Sequence, residues 1–110
     1  MYCYKIIFLM QVICIYNMIK ISYDEQKRER TLLERGLDFR DALLVFSGAI
    51  FEFEDIRNNY GEGRMIAVGH LFARMVIIGY VQRNEYRHIF SMRKANEREI
   101  KHYQKQFEAE

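Results

Sequence analysis

Hydrophobic and polar positions alternate, or recur at helical spacing, along most of the chain, and the pattern begins with a strand and a helix. Residues 18–23 alternate around two isoleucines and predict a short strand. Asp24 is a suitable N-cap for a helix that ends before Gly36, a residue that adopts a left-handed conformation easily. This helix is densely charged, and Leu32 and Leu33 are its strong apolar anchors.

A second helix and a strand are predicted in the next segment. The helix begins at Asp38 and ends at Gly48. Its predicted apolar face consists of Phe39, Ala42, Leu43 and Phe46. Residues 49–53 predict a strand, and residues 55–63 are rich in the Asn, Asp and Gly residues that are typical of turns.

Three further strands and a final helix complete the pattern. Residues 64–71 and 86–92 alternate, whereas residues 73–82 contain an apolar run that indicates a central strand covered on both faces. Asn96 and Glu99 have the spacing of a capping box, followed by an apolar stripe at helical spacing. The order β-α-α-β-β-β-β-α, with helices and strands largely segregated, predicts an α+β fold in which helices pack on a small sheet.

Composition narrows the class of protein. A chain of 110 residues has room for one domain, and 50% hydrophobic with 29% charged residues excludes a disordered tail. The net charge of +2 excludes a polybasic nucleic-acid binder, so any such site depends on local clustering. With Cys3 and Cys14 as the only cysteines, a disulfide framework and a cysteine-based zinc site are excluded. The three histidines lack metal-ligand spacing, so we expect no metal and no cofactor.

The first 17 residues differ from the rest of the chain. They contain a single charge, are too short and interrupted to span a membrane, and lack a small-residue cleavage site. We expect residues 1–17 to be an over-extended leader, Met18 to be the true start, and residues 18–110 to form the domain. The alternative is an N-terminal strand or a membrane-seeking helix.

Residues 87–94 are the densest candidate for chemistry. Regular alternation places Arg87, Ser91 and Arg93 on one face of the strand and His88 on the other, unless a bulge or the strand end re-aims one of them. Guanidinium groups next to a helix start favour phosphate binding. The alternative is a solvated strand whose charges discourage pairing with another sheet.

Four segments resemble motifs of a known family. They are ISYDEQK at 21–27, LERGLDFRDA at 33–42, YGEGRMIAVG at 60–69 and IFSMRKANERE at 89–99. Their sequence and order resemble the BrnT family, the toxins of bacterial type II toxin–antitoxin systems, and the match covers residues 18–108. Two positions depart from the family pattern. Arg35 replaces a common histidine, and His88 occupies a position where arginine is frequent, five residues before Arg93.

The resemblance implies a fold and a function. The implied fold is RelE-like, a compact antiparallel sheet packed by helices. The implied activity is a cytoplasmic endoribonuclease that cuts RNA and inhibits translation. The implied partner is a BrnA-like antitoxin, which forms a hetero-oligomer with the toxin and mediates its contact with operator DNA. A catalytically inactive relative that only binds antitoxin and operator, and an unrelated interaction domain, remain the alternatives.

Metal-free RNA cleavage by such a protein requires a base for the 2′-hydroxyl, cations around the phosphate and a proton donor. The candidate catalytic residues are Arg64, His88, Ser91 and Arg93, and the candidate RNA-binding residues are Arg87 and Lys94. Arginine does not titrate near neutrality, so the arginines are expected to stabilise charge. His88 is expected to be the base or acid, with neighbouring cations lowering its pKa below about 6.5.

Overall fold

The computed structural model describes residues 19–57 and 61–108 of the chain. The elements are β1 (Lys20–Tyr23), α1 (Glu25–Arg35), a 3-10 turn (Phe39–Asp41), α2 (Ala42–Phe46), β2 (Phe51–Glu54), β3 (Arg64–Leu71), β4 (Arg74–Arg83), β5 (Tyr86–Lys94) and α3 (Glu97–Glu108). Their order is the predicted β-α-α-β-β-β-β-α. The predicted leader, the start at Met18 and the centre of the predicted 55–63 turn lie outside the described residues.

The five strands form one mixed sheet in the order β1-β5-β4-β3-β2. Strands β2 to β5 are an antiparallel meander, but β1 pairs with β5 in parallel, from Lys20 opposite Tyr86 to Tyr23 opposite Ile89. The prediction of a purely antiparallel sheet is therefore wrong for β1. A long connection through α1 and α2 separates β1 from the meander, and such a connection permits a parallel partner. The RelE-like assignment stays a prediction.

Helices cover both faces of the sheet. On the face that we call the α2 face, α2 and the 3-10 turn bury the main core, which includes Phe39, Val45, Ile78, Ile89 and Met92. On the opposite face, called the α3 face, a smaller cluster contains Val68, Met75 and Ile77, with Tyr103 and Phe107 of α3 packed against it. The predicted central position of β4 is confirmed, because residues 75–78 are all buried.

The ends of α1 are the predicted ones, but its anchors are not. The carboxylate of Asp24 accepts hydrogen bonds from two backbone N–H groups of the first turn, and Gly36 follows the helix with φ +70°. The predicted apolar anchors are wrong, because Leu33 is 87% exposed and Leu32 39% exposed. Instead, polar contacts hold α1, including a hydrogen bond from Arg35 Nη1 to the backbone carbonyl of Met92 on β5.

The second predicted helix is divided. Asp38 caps a 3-10 turn by accepting a hydrogen bond from the N–H of Arg40, and α2 itself has only five residues. Val45 is fully buried, although the predicted apolar face omitted it, whereas the predicted Leu43 is only partly buried.

None of the described helices is long and apolar enough to cross a membrane.

Candidate functional site

An irregularity in the middle of β5 shapes the candidate site. Gly79 of β4 lies opposite Ser91, and Tyr80 lies opposite Ile89, so Phe90 is an extra residue on β5. An extra residue in one strand of an antiparallel pair is a β-bulge, which leaves that residue unpaired and bends the strand. The bulge reverses the inward and outward alternation between the two halves of β5.

This reversal gathers the candidate catalytic residues on one face. Arg93 lies opposite Ile77, which packs on the α3 face, and residues directly opposite each other share a face. Val81 shares the α3 face with Ile77, and it lies opposite both Arg64 and His88. The separation of His88 from Arg93 that regular alternation predicts is therefore wrong, and the bulge is the exception that the sequence analysis left open. The residues that share the α3 face are Arg64, His88, Ser91 and Arg93.

The two candidate RNA-binding residues lie on the α2 face. The guanidinium group of Arg87 lies 4.6 Å from the ring centroid of Phe46 and 4.8 Å from that of Tyr80, and it donates a 2.8 Å hydrogen bond to Glu52. Lys94 is exposed at the end of β5. Arg87 thus takes part in a packed ion-pair cluster away from the candidate catalytic residues, and its role in RNA binding stays a prediction.

His88 is held by a contact that the sequence did not reveal. Its Nδ1 atom lies 2.9 Å from Oγ of Ser22, which is directly opposite His88 in the parallel pairing of β1 with β5. Both residues are partly buried. Sequence reasoning missed Ser22 because no local pattern showed which strand β1 would pair with. The alternation of β1, which places Ser22 away from the isoleucines, was the only available signal.

The surroundings of His88 favour its neutral form. Burial is the largest cause of a lowered pKa for its imidazole, and Arg83 and Lys27 lower this pKa further. Glu62 and Asp24 act in the opposite direction, without reversing the shift. The predicted direction is confirmed, but burial rather than neighbouring cations is the main cause. Near neutral pH His88 is therefore able to accept a proton.

Arg93 is bound to the start of α3. Its Nη1 and Nη2 atoms donate hydrogen bonds of 2.8 and 2.7 Å to the two carboxylate oxygens of Glu99. Glu99 also forms the predicted capping box, because it and Asn96 each accept a hydrogen bond from the other's backbone N–H. The hydrogen bond from Arg93 lowers the pKa of Glu99 to about 2. The Arg93 side chain is still 43% exposed, so its guanidinium group remains accessible.

Arg64 reaches the bulge through an aromatic contact. Its guanidinium carbon lies 4.6 Å from the ring centroid of Phe90, a cation–π distance. The Phe90 ring lies over Gly79, where an added Cβ would be 2.7 Å from the ring and 2.6 Å from Oγ of Ser91. Only glycine allows this close approach, so Gly79 fixes the positions of Phe90 and Ser91 and, through Phe90, of Arg64.

Two open clefts adjoin the candidate catalytic residues on the α3 face. One, of about 170 Å³, lies between α1 and β5. Its lining comprises Lys27, Arg30, Thr31, Glu34, Arg35, Phe90 and Ser91. The other, of about 340 Å³, lies between α3 and the segment after β2, with Arg93 and Tyr103 in its wall. The cations that α1 contributes beside Ser91 were not predicted to belong to the site, because the sequence showed only a densely charged helix.

The four candidate catalytic residues on the α3 face have side chains that suit acid–base and electrostatic catalysis. They combine one titratable imidazole, one hydroxyl and two guanidinium groups on a single sheet face. Within residues 19–57 and 61–108, no three His, Cys, Asp or Glu side chains are grouped closely enough to hold a metal ion.

Comparison with models of known protein families gives a match over most of the chain. A family model described as "Ribonuclease toxin, BrnT, of type II toxin-antitoxin system" matches residues 23–99. No curated protein matches the chain. The matched range is more than half of the 110 residues, and it contains β1 residue Tyr23, the bulge of β5 and Glu99 of α3.

Proposed function

This chain belongs to the BrnT family, the ribonuclease toxins of type II toxin–antitoxin systems, and we propose that it is a metal-independent endoribonuclease that inhibits translation. The family match supports the toxin and ribonuclease class. The bulge at Phe90 is the observation that supports the site, because it places His88, Ser91 and Arg93 on the face that carries Arg64.

In the proposed reaction the substrate supplies its own nucleophile. The 2′-hydroxyl of one ribose attacks the adjacent phosphorus and loses its proton to His88, while the bond from phosphorus to the 5′-oxygen breaks. The leaving 5′-oxygen takes a proton from water, and the hydroxide left behind takes the proton from His88, which regenerates the neutral base. The products are a 2′,3′-cyclic phosphate and a free 5′-hydroxyl. His88 suits the role of base because burial lowers its pKa and keeps it neutral near pH 7.

The arginines stabilise charge in this scheme. The phosphate gains negative charge in the transition state, and guanidinium groups bind phosphate oxygens through paired N–H donors. Arg64 lies against Phe90 at the bulge, on the face that carries His88 and Ser91, and is suited to the reacting phosphate. His88 and Arg93 are five positions apart, roughly 15 Å along an extended strand, so Arg93 is suited to the far side of that phosphate or to its neighbour.

The proposed partner is a BrnA-like antitoxin. Membership of a type II toxin–antitoxin family implies an antitoxin protein partner. We infer that the two proteins form a hetero-oligomer and that operator DNA is bound only through the antitoxin. The small net charge of +2 agrees with a toxin that does not itself bind duplex DNA strongly.

The test of metal independence is cleavage of a short unstructured RNA by the purified full chain in excess EDTA. We expect the rate in EDTA to equal the rate in magnesium, with a 2′,3′-cyclic phosphate at the new end. An unstructured substrate removes the effect of magnesium on RNA folding. Activity that disappears in EDTA and returns with magnesium or zinc would contradict the proposed mechanism.

A further inference from the structure

We propose that Ser22 is a positioning residue that sets the protonation pattern of the His88 ring, an inference that rests on the ribonuclease function proposed above. Ser22 Oγ lies 2.9 Å from His88 Nδ1, a hydrogen-bond distance, although the two residues are 66 positions apart in the sequence. The parallel register of β1 and β5 places them directly opposite each other. The contact therefore depends on the one strand pairing that the local sequence pattern does not predict.

The contact between Ser22 and His88 matters because it affects which imidazole nitrogen carries the proton. A neutral imidazole carries a proton on one nitrogen and a lone pair on the other, and a partner that accepts a hydrogen bond from one nitrogen holds the proton there. Nδ1 of His88 faces Ser22 on the edge strand, so Nε2 is directed away from β1. When Ser22 Oγ accepts a hydrogen bond from Nδ1–H, the lone pair is on Nε2, where the 2′-hydroxyl proton of RNA is taken up.

The same contact acts after proton transfer. Once Nε2 has taken the proton, the ring is a cation, and its Nδ1–H donates a charge-assisted hydrogen bond to Ser22. Ser22 therefore stabilises the protonated ring as well as selecting the reactive neutral form. The charged groups around His88 are Arg83 at the end of β4, Glu62 before β3, and Lys27 and Asp24 at the start of α1. These are two cations and two carboxylates, so their effects partly cancel.

The tautomer is measurable without RNA. In ¹⁵N-labelled full-length protein above the pKa of His88, we expect the imidazole nitrogen shifts to show the proton on Nδ1, with the His88 signals identified by their loss in His88→Ala. In Ser22→Ala the proton is expected to move in large part to Nε2. Ser22→Thr retains a hydroxyl and is expected to keep the wild-type pattern.

Kinetics provide the second readout. Loss of one neutral hydrogen bond is expected to lower kcat for RNA cleavage by about 3- to 10-fold in Ser22→Ala, with little change in KM and with recovery in Ser22→Thr. The acidic limb of the pH profile is expected to move to lower pH, because the alanine variant no longer stabilises the protonated ring. Ser47→Ala is the matched control, since the Ser47 hydroxyl donates a hydrogen bond to the Leu44 carbonyl at the end of α2 and has no contact with His88 among the described residues.

Three results would overturn the inference. One is a wild-type His88 that carries its proton on Nε2. Another is a Ser22→Ala variant with unchanged tautomer, rate and pH profile. The third is a wild-type protein that does not cleave RNA at any pH, which overturns the proposed function together with the catalytic role of Ser22. Normal cleavage with an unaltered tautomer in Ser22→Ala would remove the inference alone and leave the proposed function intact.

Discussion

The pH dependence of the proposed reaction is determined at the level of a single residue, His88. Only the neutral imidazole accepts a proton, and burial lowers its pKa below the ordinary value of 6.5. We therefore expect kcat/KM to rise from acid pH, with a midpoint below 6.5, and to level by pH 7. His88→Ala should lower the rate by about 10²–10⁴-fold and abolish the acidic limb. Rates of the two proteins measured between pH 4 and 9 check this.

A His88→Ala variant that kept its acidic limb would assign the titration to another group. Glu62 and Glu54 would then be the carboxylates to test. Loss of stability without loss of the limb would mean that His88 only packs within the sheet. Thermal unfolding of both proteins separates these outcomes, because it reports folding independently of cleavage.

Arg93 is the second residue whose substitution is expected to change the rate of RNA cleavage. Removal of one transition-state donor commonly lowers a rate by about 10²–10³-fold, so Arg93→Ala is expected to lower cleavage to this extent. Arg93→Lys should recover only part of the rate, because lysine restores the charge but not the planar pair of donors. Arg98, exposed on α3, provides the control substitution Arg98→Ala. A folded Arg93→Ala protein with full activity would remove Arg93 from the site.

At the scale of elements, the capping box attaches α3 to the sheet. Tyr103 and Phe107 pack α3 against the sheet, and Glu99, which caps the helix and pairs with Arg93, attaches its first turn. Glu99→Ala is expected to destabilise α3 by about 1 kcal/mol, a typical loss for a helix cap. Faster hydrogen exchange in α3, with the β4 amides unchanged, would show this. Glu97→Ala, an exposed position in the same turn, is the control.

The Glu99 carboxylate also makes the stability of α3 depend on pH in the acid range. Its pKa is lowered to about 2, so its stabilising contribution is complete above the ordinary value of 4.5 and is lost as pH falls toward 2. We expect the exchange protection of α3 to persist at pH 4 and to weaken near pH 2. The Glu99→Ala variant should not show that particular transition. Equal acid responses in both proteins would contradict this assignment.

The bulge is a second element whose role is testable. Alanine at Gly79 would place a Cβ 2.6–2.7 Å from Ser91 and Phe90, whereas alanine at Gly69 would place one 2.6 Å from Val45, on the α2 face. Each substitution is expected to destabilise the protein by about 1–3 kcal/mol through overpacking. Gly79→Ala alone should also lower cleavage by the folded fraction. Equal activity of the two variants would show that the bulge geometry does not matter to the reaction.

At the scale of the whole molecule, we expect expression of the full chain in bacteria to arrest growth and degrade RNA. This expectation follows from membership of a ribonuclease toxin family. Co-expression of the antitoxin encoded beside the gene should restore growth, and the His88→Ala protein at the same level should not arrest it. Normal growth with abundant folded wild-type protein would favour the catalytically inactive alternative, a subunit that only binds antitoxin and operator.

The sequence predicted those parts of the molecule that depend on neighbouring residues. The strand over 64–71 and the helix caps at Asp24 and Asn96 arise from local patterns, and the structure confirms them. The parallel partner of β1 could not be predicted, because alternation determines the faces of a strand and not its neighbour. The bulge at Phe90 depends on the close approach of Gly79 across the sheet, which the pattern of β5 alone does not show.

The same reasons explain the candidate site. Its residue types were predicted from the sequence, but Ser22 was missed and Arg87 was grouped with the wrong face. Both errors come from interactions between strands. The motifs that identify the family are therefore local runs of sequence, whereas the arrangement of the site depends on how the strands pair.

Because of the bulge, the assembly of the site depends on the number of residues between His88 and Arg93. Five positions separate His88 from Arg93, an odd number, and in a regular strand an odd spacing points two side chains in opposite directions. The two side chains share a face because one residue between them, Phe90, has no partner on β4. While the bulge at Phe90 is kept, insertion or deletion of one other residue between His88 and Arg93 would therefore divide the site between two faces, although every site residue would still be in the chain. Deletion of the bulged residue itself would leave an even spacing in a regular strand, and the two side chains would still share a face. In evolution a change of the first kind would be harsher than most substitutions, and the parity of the spacing, taken together with the presence of the bulge, is a criterion that separates related sequences with an assembled site from those without one.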